Sequence, residues 1–438
     1  MMKKIFRFVV LAMAVVGIAY GIWFTVKRSV PNISQKEIEE KIFGMIQTKT
    51  AETTDFYTYG RAFNLKGKIT NIKKDNFESV KLLITDGKQF EKECTLAYEF
   101  DDTTLNFVSN NEMNAGIIVD DLEQGEYYVL LRLKLNNSNN PRYYSFSNSS
   151  KGNKINYYSI TKDNKNKLAE IDFCKKSYKE NEYNLLLISV KETNLPNEIY
   201  DIVIDAGHGG SDKGEKEGNV TEADVTLEYA KLLKTSLENE GYKVALTRDD
   251  NNSGTYTYTN MYDSDGRITE ACRTKAKLMI SFHINQGNNG LKGLEIYCPG
   301  NSNLDFAKEM SNKIKEYTGI EFSNNSSFKK AEGVYVKNFT KNVIKEYANT
   351  ANQKGYEPYN ITINTPYLYT IREVGGIATG AYVDGRNTAY GANQYYNSNQ
   401  GIECYQIELG YIKNDLDLIV NRKADYIKAI TEAICNNY

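Results

Sequence analysis

At Leu195-Pro196 the hydrophobic periodicity of the chain changes, and the change limits what can fold on either side. From about Phe56 to Glu192, short runs such as Ser79-Val80-Lys81-Leu82-Leu83-Ile84 and Tyr127 to Leu133 are separated by Asp-Gly, Gln-Gly and Asn/Ser-rich turns. Short strands at this spacing predict an all-β sandwich of immunoglobulin-like size. Beyond the switch, Ile199 to Asp205 is β-rich, Thr221 to Glu240 is helical with Gly241 as its stop, and Lys243 to Thr247 is a strand. Arg267 to Lys277 is helical, Leu278 to His283 a strand, Leu294 to Pro299 strand-like, and Leu304 to Tyr317 helical. Cys404 to Leu409 is a strand and Asn421 to Cys435 the last helix. Strands alternating with helices predict an α/β fold with a parallel or mixed sheet flanked by helices. Ligands in such sheets sit at the carboxyl ends of the strands.

The 438 residues exceed one ordinary core and suggest two or three units. Lys3, Lys4 and Arg7 precede an uncharged run from Phe8 to Val26, followed by Lys27 and Arg28. At 1.5 Å per residue the run makes about 28 Å of helix, close to the bilayer core of about 30 Å. A cleaved signal peptide is the rival reading, but Ile22, Trp23, Phe24 and Val26 carry the apolar run past the small residues Ala19 and Gly21. The expected organisation is a cytoplasmic flank and transmembrane anchor at 1–29, and a stalk at 30–54 with the helical pattern Ile38, Ile42, Ile46. The sandwich follows at 55–195 and a catalytic domain at 196–438, both outside the cell. A net charge of −2 gives no reason to expect a nucleic-acid partner. Six scattered cysteines without C-x-x-C spacing argue against a cysteine zinc finger or a disulfide scaffold, and buried free thiols are the plain reading. The excess of 34 Tyr over 17 Phe suits half-exposed strands and carries little weight.

Only two histidines exist, and both fall at the mouth of the predicted sheet. The first strand runs into Asp205-Ala206-Gly207-His208-Gly209-Gly210, and a later one ends Ser281-Phe282-His283-Ile284-Asn285. Imidazole is a common zinc ligand, and a catalytic zinc keeps three protein ligands and one open position, so a carboxylate is expected beside the two histidines. Glu222 is the best placed, at the start of a helix that Thr221 can cap and Asp224 can close as a capping box. Glu215, Glu217 and Glu228 are rivals. Each residue alone also has a structural reading, as a satisfied core histidine or a carboxylate favoured at a helix N-terminus.

Ile204 to Asp212, Glu222 to Leu227, Leu246-Thr247-Arg248 and Ser281 to Asn285, in this order, resemble the zinc-dependent N-acetylmuramoyl-L-alanine amidases of the type-3 family. Arg267 with Ala271, Gly293-Leu294-Glu295-Ile296-Tyr297 and Ile407-Glu408-Leu409-Gly410-Tyr411-Ile412-Lys413-Asn414 add to the likeness, which spans about Ile199 to Tyr438. The resemblance implies one zinc held by His208, Glu222 and His283, and Glu408 as the catalytic carboxylate. It also implies peptidoglycan as substrate, cut between the sugar strand and the stem peptide. Glu408 ends an apolar strand, where partial desolvation raises a carboxyl pKa toward that of a general base.

The chain departs from the family pattern at Val374 to Gln400, a Gly-, Tyr- and Asn-rich insertion between the expected strand Tyr367 to Glu373 and Cys404. It is a candidate lid or the seat of a regulatory protein partner. Arg372 and Asn285 are the candidate substrate contacts, Arg372 through a guanidinium fork on a stem-peptide carboxylate. Asp384 and Arg386 read better as ordinary loop charges. The rival functions are a zinc peptidase acting within the stem peptide and a non-catalytic wall-binding protein.

Overall fold

The computed structural model describes residues 33–72, 77–111, 114–136, 140–150, 154–159, 166–194, 196–250, 266–287, 290–353, 355, 361–375 and 401–438. The expected anchor, the residues Asp384 and Arg386 and nearly all of the 374–400 insertion lie outside them. Among the described residues no helix is long and apolar enough to cross a membrane.

Two sheets pack face to face over a core of Phe63, Leu65, Leu82, Ile84, Phe107, Val129, Leu131 and Ile171. One sheet runs in the order 146–148, 51–59, 62–69, 104–108, 97–101, and the other in the order 154–159, 167–178, 181–192, 125–135, 77–85, 91–95. The architecture is a sandwich, but strand number and order differ from the seven-stranded immunoglobulin arrangement. The segment expected as a stalk also differs. A helix at Gln35–Met45, closed by a Ser34–Glu37 capping box, packs Ile38, Ile42 and Phe43 on Leu83, Leu130 and Leu187 of the second sheet's outer face. With both faces covered, the run Leu82-Leu83-Ile84 need not alternate.

The second unit is a seven-stranded mixed sheet. In chain order its elements are β1 (Ile202–Ala206), α1 (Glu222–Asn239), β2 (Val244–Leu246), α2 (Arg267–Arg273), β3 (Leu278–Asn285), β4 (Glu295–Tyr297), α3 (Leu304–Thr318), β5 (Lys329–Ala331), β6 (Val334–Tyr335), α4 (Lys341–Gln353), α5 (Tyr369–Val374), β7 (Glu403–Tyr411), α6 (Leu416–Asn421) and α7 (Lys423–Asn437). The strand order is β2-β1-β3-β7-β4-β6-β5. β2, β1, β3 and β7 are parallel neighbours, and β4 joins β7 antiparallel. On one face Ile204, Phe282 and Ile407 meet Tyr229 and Leu233 of α1, Phe306 and Met310 of α3, and Tyr426 and Ile430 of α7. On the other, Val203, Met279 and Cys404 meet Ile268 and Cys272 of α2 and Ile371 and Val374 of α5. The stretch read as a strand at Tyr367 to Glu373 is thus a helix from Tyr369. Its buried Ile371 and Val374 are three apart, a helical spacing that seals the sheet face. All six cysteines are free, and Cys272, Cys298 and Cys404 are buried.

Sandwich and α/β unit share a polar joint. The 59–62 turn places Gly60 N–H on the Gly401 carbonyl at 2.8 Å, and Tyr59 OH 3.2 Å from Ser302 Oγ. Arg61 pairs with Asp120 at 2.6 Å and donates to the Asn437 carbonyl, while Tyr438 OH donates to Glu403 at 2.7 Å. Lys277, buried at the start of β3, stacks its ammonium 4.0 Å from the Tyr157 ring centre. Burial pushes this amine down to about 8. An unfolded lysine titrates near 10.4, so between about 8 and about 10.4 the unfolded chain binds more protons and stability rises with pH. By linkage, a fall from about 10.4 to about 8 means that holding the charged lysine here costs on the order of 3 kcal/mol. Lys277→Met is expected to stabilise the protein by about that much at pH 7 and to abolish the alkaline rise, read by urea unfolding at pH 7 and pH 10.

Candidate metal centre

β1 ends in a turn that only a particular backbone can make. His208 has φ +60°, a left-handed conformation that costs a non-glycine residue about 1–2 kcal/mol. The turn is closed by Gly209 N–H to the Asp212 carbonyl at 2.7 Å and Asp212 N–H to the Gly209 carbonyl at 3.1 Å. Two buried arginines hold it from behind. Arg267 donates to the His208 carbonyl at 2.6 Å, and Arg248 donates to the carbonyls of Ala206, Gly207 and Ala223 at 2.8, 3.0 and 2.8 Å. Arg267 is itself paired with fully buried Asp205, which also accepts from Thr247 at 2.7 Å and Ser281 at 2.7 Å. Burial alone would push the Asp205 carboxyl up, but the Arg267 guanidinium and the other partners hold it below the usual range.

Glu222 is the first residue of α1, where Thr221 caps by accepting from Asp224 N–H at 3.3 Å. The Thr221 hydroxyl in turn donates to the Asp224 carboxylate at 2.6 Å. This fixes the Glu222 carboxylate between two strand ends. Oε1 accepts from Ile284 N–H at 2.8 Å and lies 3.2 Å from His283 Nδ1, while Oε2 accepts from Glu215 N–H at 2.9 Å and lies 3.1 Å from His208 Nε2. Ligand atoms of His208, Glu222 and His283 all lie within 4.8 Å of one another. Close approach requires two glycines. A Cβ on Gly207 would come within 2.5 Å of His283, and one on Gly214, which has φ +62°, within 2.5 Å of Glu222 and 2.7 Å of His208.

His208 Nδ1 faces Asp212 at 2.9 Å, so its Nε2 is the atom turned to the cluster. This is the outer carboxylate that orients metal-ligating imidazoles. Burial pushes the His208 imidazolium down, but Glu222 and Asp212 overturn that and hold it at about 9. Glu222 is buried yet held well below the ordinary carboxylate range by hydrogen bonds from the two imidazoles. The negative field that retains a proton there would also retain a cation.

Glu408 is the register partner of His283 across β3 and β7, so both side chains leave the same face of the sheet. Its Oε1 accepts from Gln406 at 2.8 Å, and its buried Oε2 has no hydrogen-bond partner among the described residues. Burial, with lesser contributions from nearby charges, pushes its carboxyl up to about 7. Asn285, two residues beyond His283, shares that face and is half-buried. Arg372 is not brought to the cluster. It is buried in α5, with its guanidinium 3.0 Å from Glu373, donating to the Tyr367 carbonyl at 2.5 Å and lying over the rings of Tyr369 and Phe339. The rivals Glu215, Glu217 and Glu228 stay outside the cluster of ligand atoms.

Such a sheet, with a His–Glu–His cluster at its strand ends, defines an α/β fold with a metal-type site. Residues 202–361 match the family described as N-acetylmuramoyl-L-alanine amidase. An uncharacterized protein of Bacillus subtilis, YqiI, is 26% identical over 131 residues, 30% of this chain and 60% of that protein. A germination-specific N-acetylmuramoyl-L-alanine amidase of B. subtilis is 35% identical over 103 residues, 22% of this chain and 44% of that protein. A sporulation-specific one is 25% identical over 243 residues, 53% of this chain and 80% of that protein. The chain spans less than two thirds of the first two.

Asp205→Ala would leave Arg267 buried without its carboxylate. A loss of about 3–5 kcal/mol is expected in urea unfolding, far more than for an exposed aspartate.

Proposed function

We propose that this chain is a zinc-dependent amidase that hydrolyses the bond between N-acetylmuramic acid and the L-alanine of the stem peptide in peptidoglycan. The observation that carries the reading is the convergence of His208, Glu222 and His283 beside a buried carboxylate with an unpartnered oxygen, Glu408 Oε2. The match of residues 202–361 to the amidase family supports it. Two imidazoles and one carboxylate suit zinc and leave a fourth position open. Held by these three, zinc would supply Lewis-acid activation of a water and of the scissile carbonyl.

The protein groups do the rest. Glu408 Oε2 takes the proton of the attacking water and returns it to the leaving alanine nitrogen, a role suited to a carboxyl pushed up to about 7. Gln406 holds Oε1 at 2.8 Å, which leaves Oε2 as the working atom. Asp212, through Nδ1 of His208, keeps Nε2 free to bind. The uncharged run Phe8 to Val26 is the reason to place the enzyme at the cell membrane with residues 196–438 outside as the catalytic domain.

The test is digestion of purified peptidoglycan by the full chain, with products read by mass spectrometry. Wild type is expected to release intact stem peptides, to stop on chelation and to resume with zinc. Glu408→Ala is expected to be slower by about 10²–10⁴-fold with its metal retained. Shortened peptides would move the assignment to a zinc peptidase, and zinc binding without any product would favour a wall-binding role.

A further inference from the structure

Glu295 interrupts the apolar run Leu294 to Cys298 and is fully buried. No cation neutralises it among the described residues. Instead four neutral donors converge on its carboxylate. Asn285 Nδ2 at 3.0 Å and Tyr297 OH at 2.7 Å reach Oε2, while Ser323 Oγ and Tyr411 OH reach Oε1, each at 2.6 Å. These donors come from four separate parts of the chain, so the carboxylate is the point at which they are registered against one another.

A carboxylate offers only acceptors, so an amide that bonds to it must present its NH₂ group. Asn285 therefore turns Nδ2 inward and Oδ1 outward, and among the described residues no donor is bonded to that Oδ1. Asn285 and His283 leave the same face of β3 and both are half-buried, at the rim of the cluster. Glu295 is the register partner of Glu408 across β4 and β7, so the anchoring carboxylate is on that face too.

We propose that Glu295 is a positioning residue that locks the Asn285 amide with its carbonyl oxygen toward the cleft, where it accepts an N–H of the peptide part of the substrate. This deepens the amidase reading and rests on it. Asn285 then selects for a peptide amide donor beside the scissile bond. Glu295 never touches substrate and acts only through the amide it orients.

The consequence is specific. Glu295→Gln keeps the shape but offers its own NH₂ on one side. With its carbonyl oxygen kept by Ser323 and Tyr411, the new amide faces Asn285 with a donor, and Asn285 must flip. Measured on a soluble muramyl peptide with the zinc-loaded full chain, Asn285→Ala and Glu295→Gln are each expected to raise KM by about 3–10-fold with kcat within about twofold. The double variant is expected to match either single variant rather than multiply them, because both remove one interaction. Multiplying effects, or a fall in kcat at unchanged KM, would overturn the proposal. The Kd of the same muramyl peptide, measured for the same set of chains in the Glu408→Ala background, gives the comparison without turnover. Absence of turnover in wild type then counts against the amidase reading alone, while equal Kd across the set counts against the role of Glu295.

Discussion

The buried pair of Asp205 and Arg267 is the interaction on which the candidate site depends. Asp205 sits inside β1 and gathers Thr247 beyond β2, Ser281 of β3 and Arg267 of α2, so one carboxylate ties the parallel strands and a helix to one level. Arg267 then spends its other arm on the carbonyl of His208, whose left-handed backbone needs an external hold. A buried ion pair is weak evidence for stability in itself, since the desolvation of two charges offsets much of their attraction. Its worth here is geometric, because it sets the direction in which the first imidazole leaves the strand.

From that level the polar residues rise in rows on one face of the sheet. Asp205 pairs in register with Ser281, Ser281 with Gln406, and Gln406 with Tyr297; in the next row His283 pairs with Glu408 and Glu408 with Glu295. The opposite face of the same strands is apolar and carries the larger core. Alternation along β3 and β7 thus separates chemistry from packing without loops having to place the groups. The joint with the sandwich lies at the other end of these strands, where Lys277 precedes β3 and Glu403 opens β7.

Much of the site was legible because it depends on local signals. Two histidines at strand ends, glycines around the first and a capped helix beginning with a carboxylate all lie within short windows, and the register brings them together. Glu408 was readable as a charge finishing an apolar strand. Glu295 carried the same signal, a carboxylate inside Leu294 to Cys298, but its partners come from residues 285, 297, 323 and 411, and no window contains them. Arg372 was read as a substrate contact because Tyr369 and Glu373, which with the Tyr367 carbonyl engage its guanidinium, lie in a helix where the sequence suggested a strand. The helix at Gln35–Met45 was legible as a helix but not as part of the sandwich, since its apolar stripe is narrow and the sheet face it covers is far along the chain.

The proposed chemistry requires one zinc ion where His208, Glu222 and His283 converge. Its most direct test is the metal content of the purified full chain, combined with anomalous X-ray scattering at the zinc edge. One zinc per chain is expected, seated between His208 Nε2, the Glu222 carboxylate and His283, and lost in His283→Ala without unfolding. Zinc bound elsewhere, or none bound while the three side chains hold the geometry described, would contradict it.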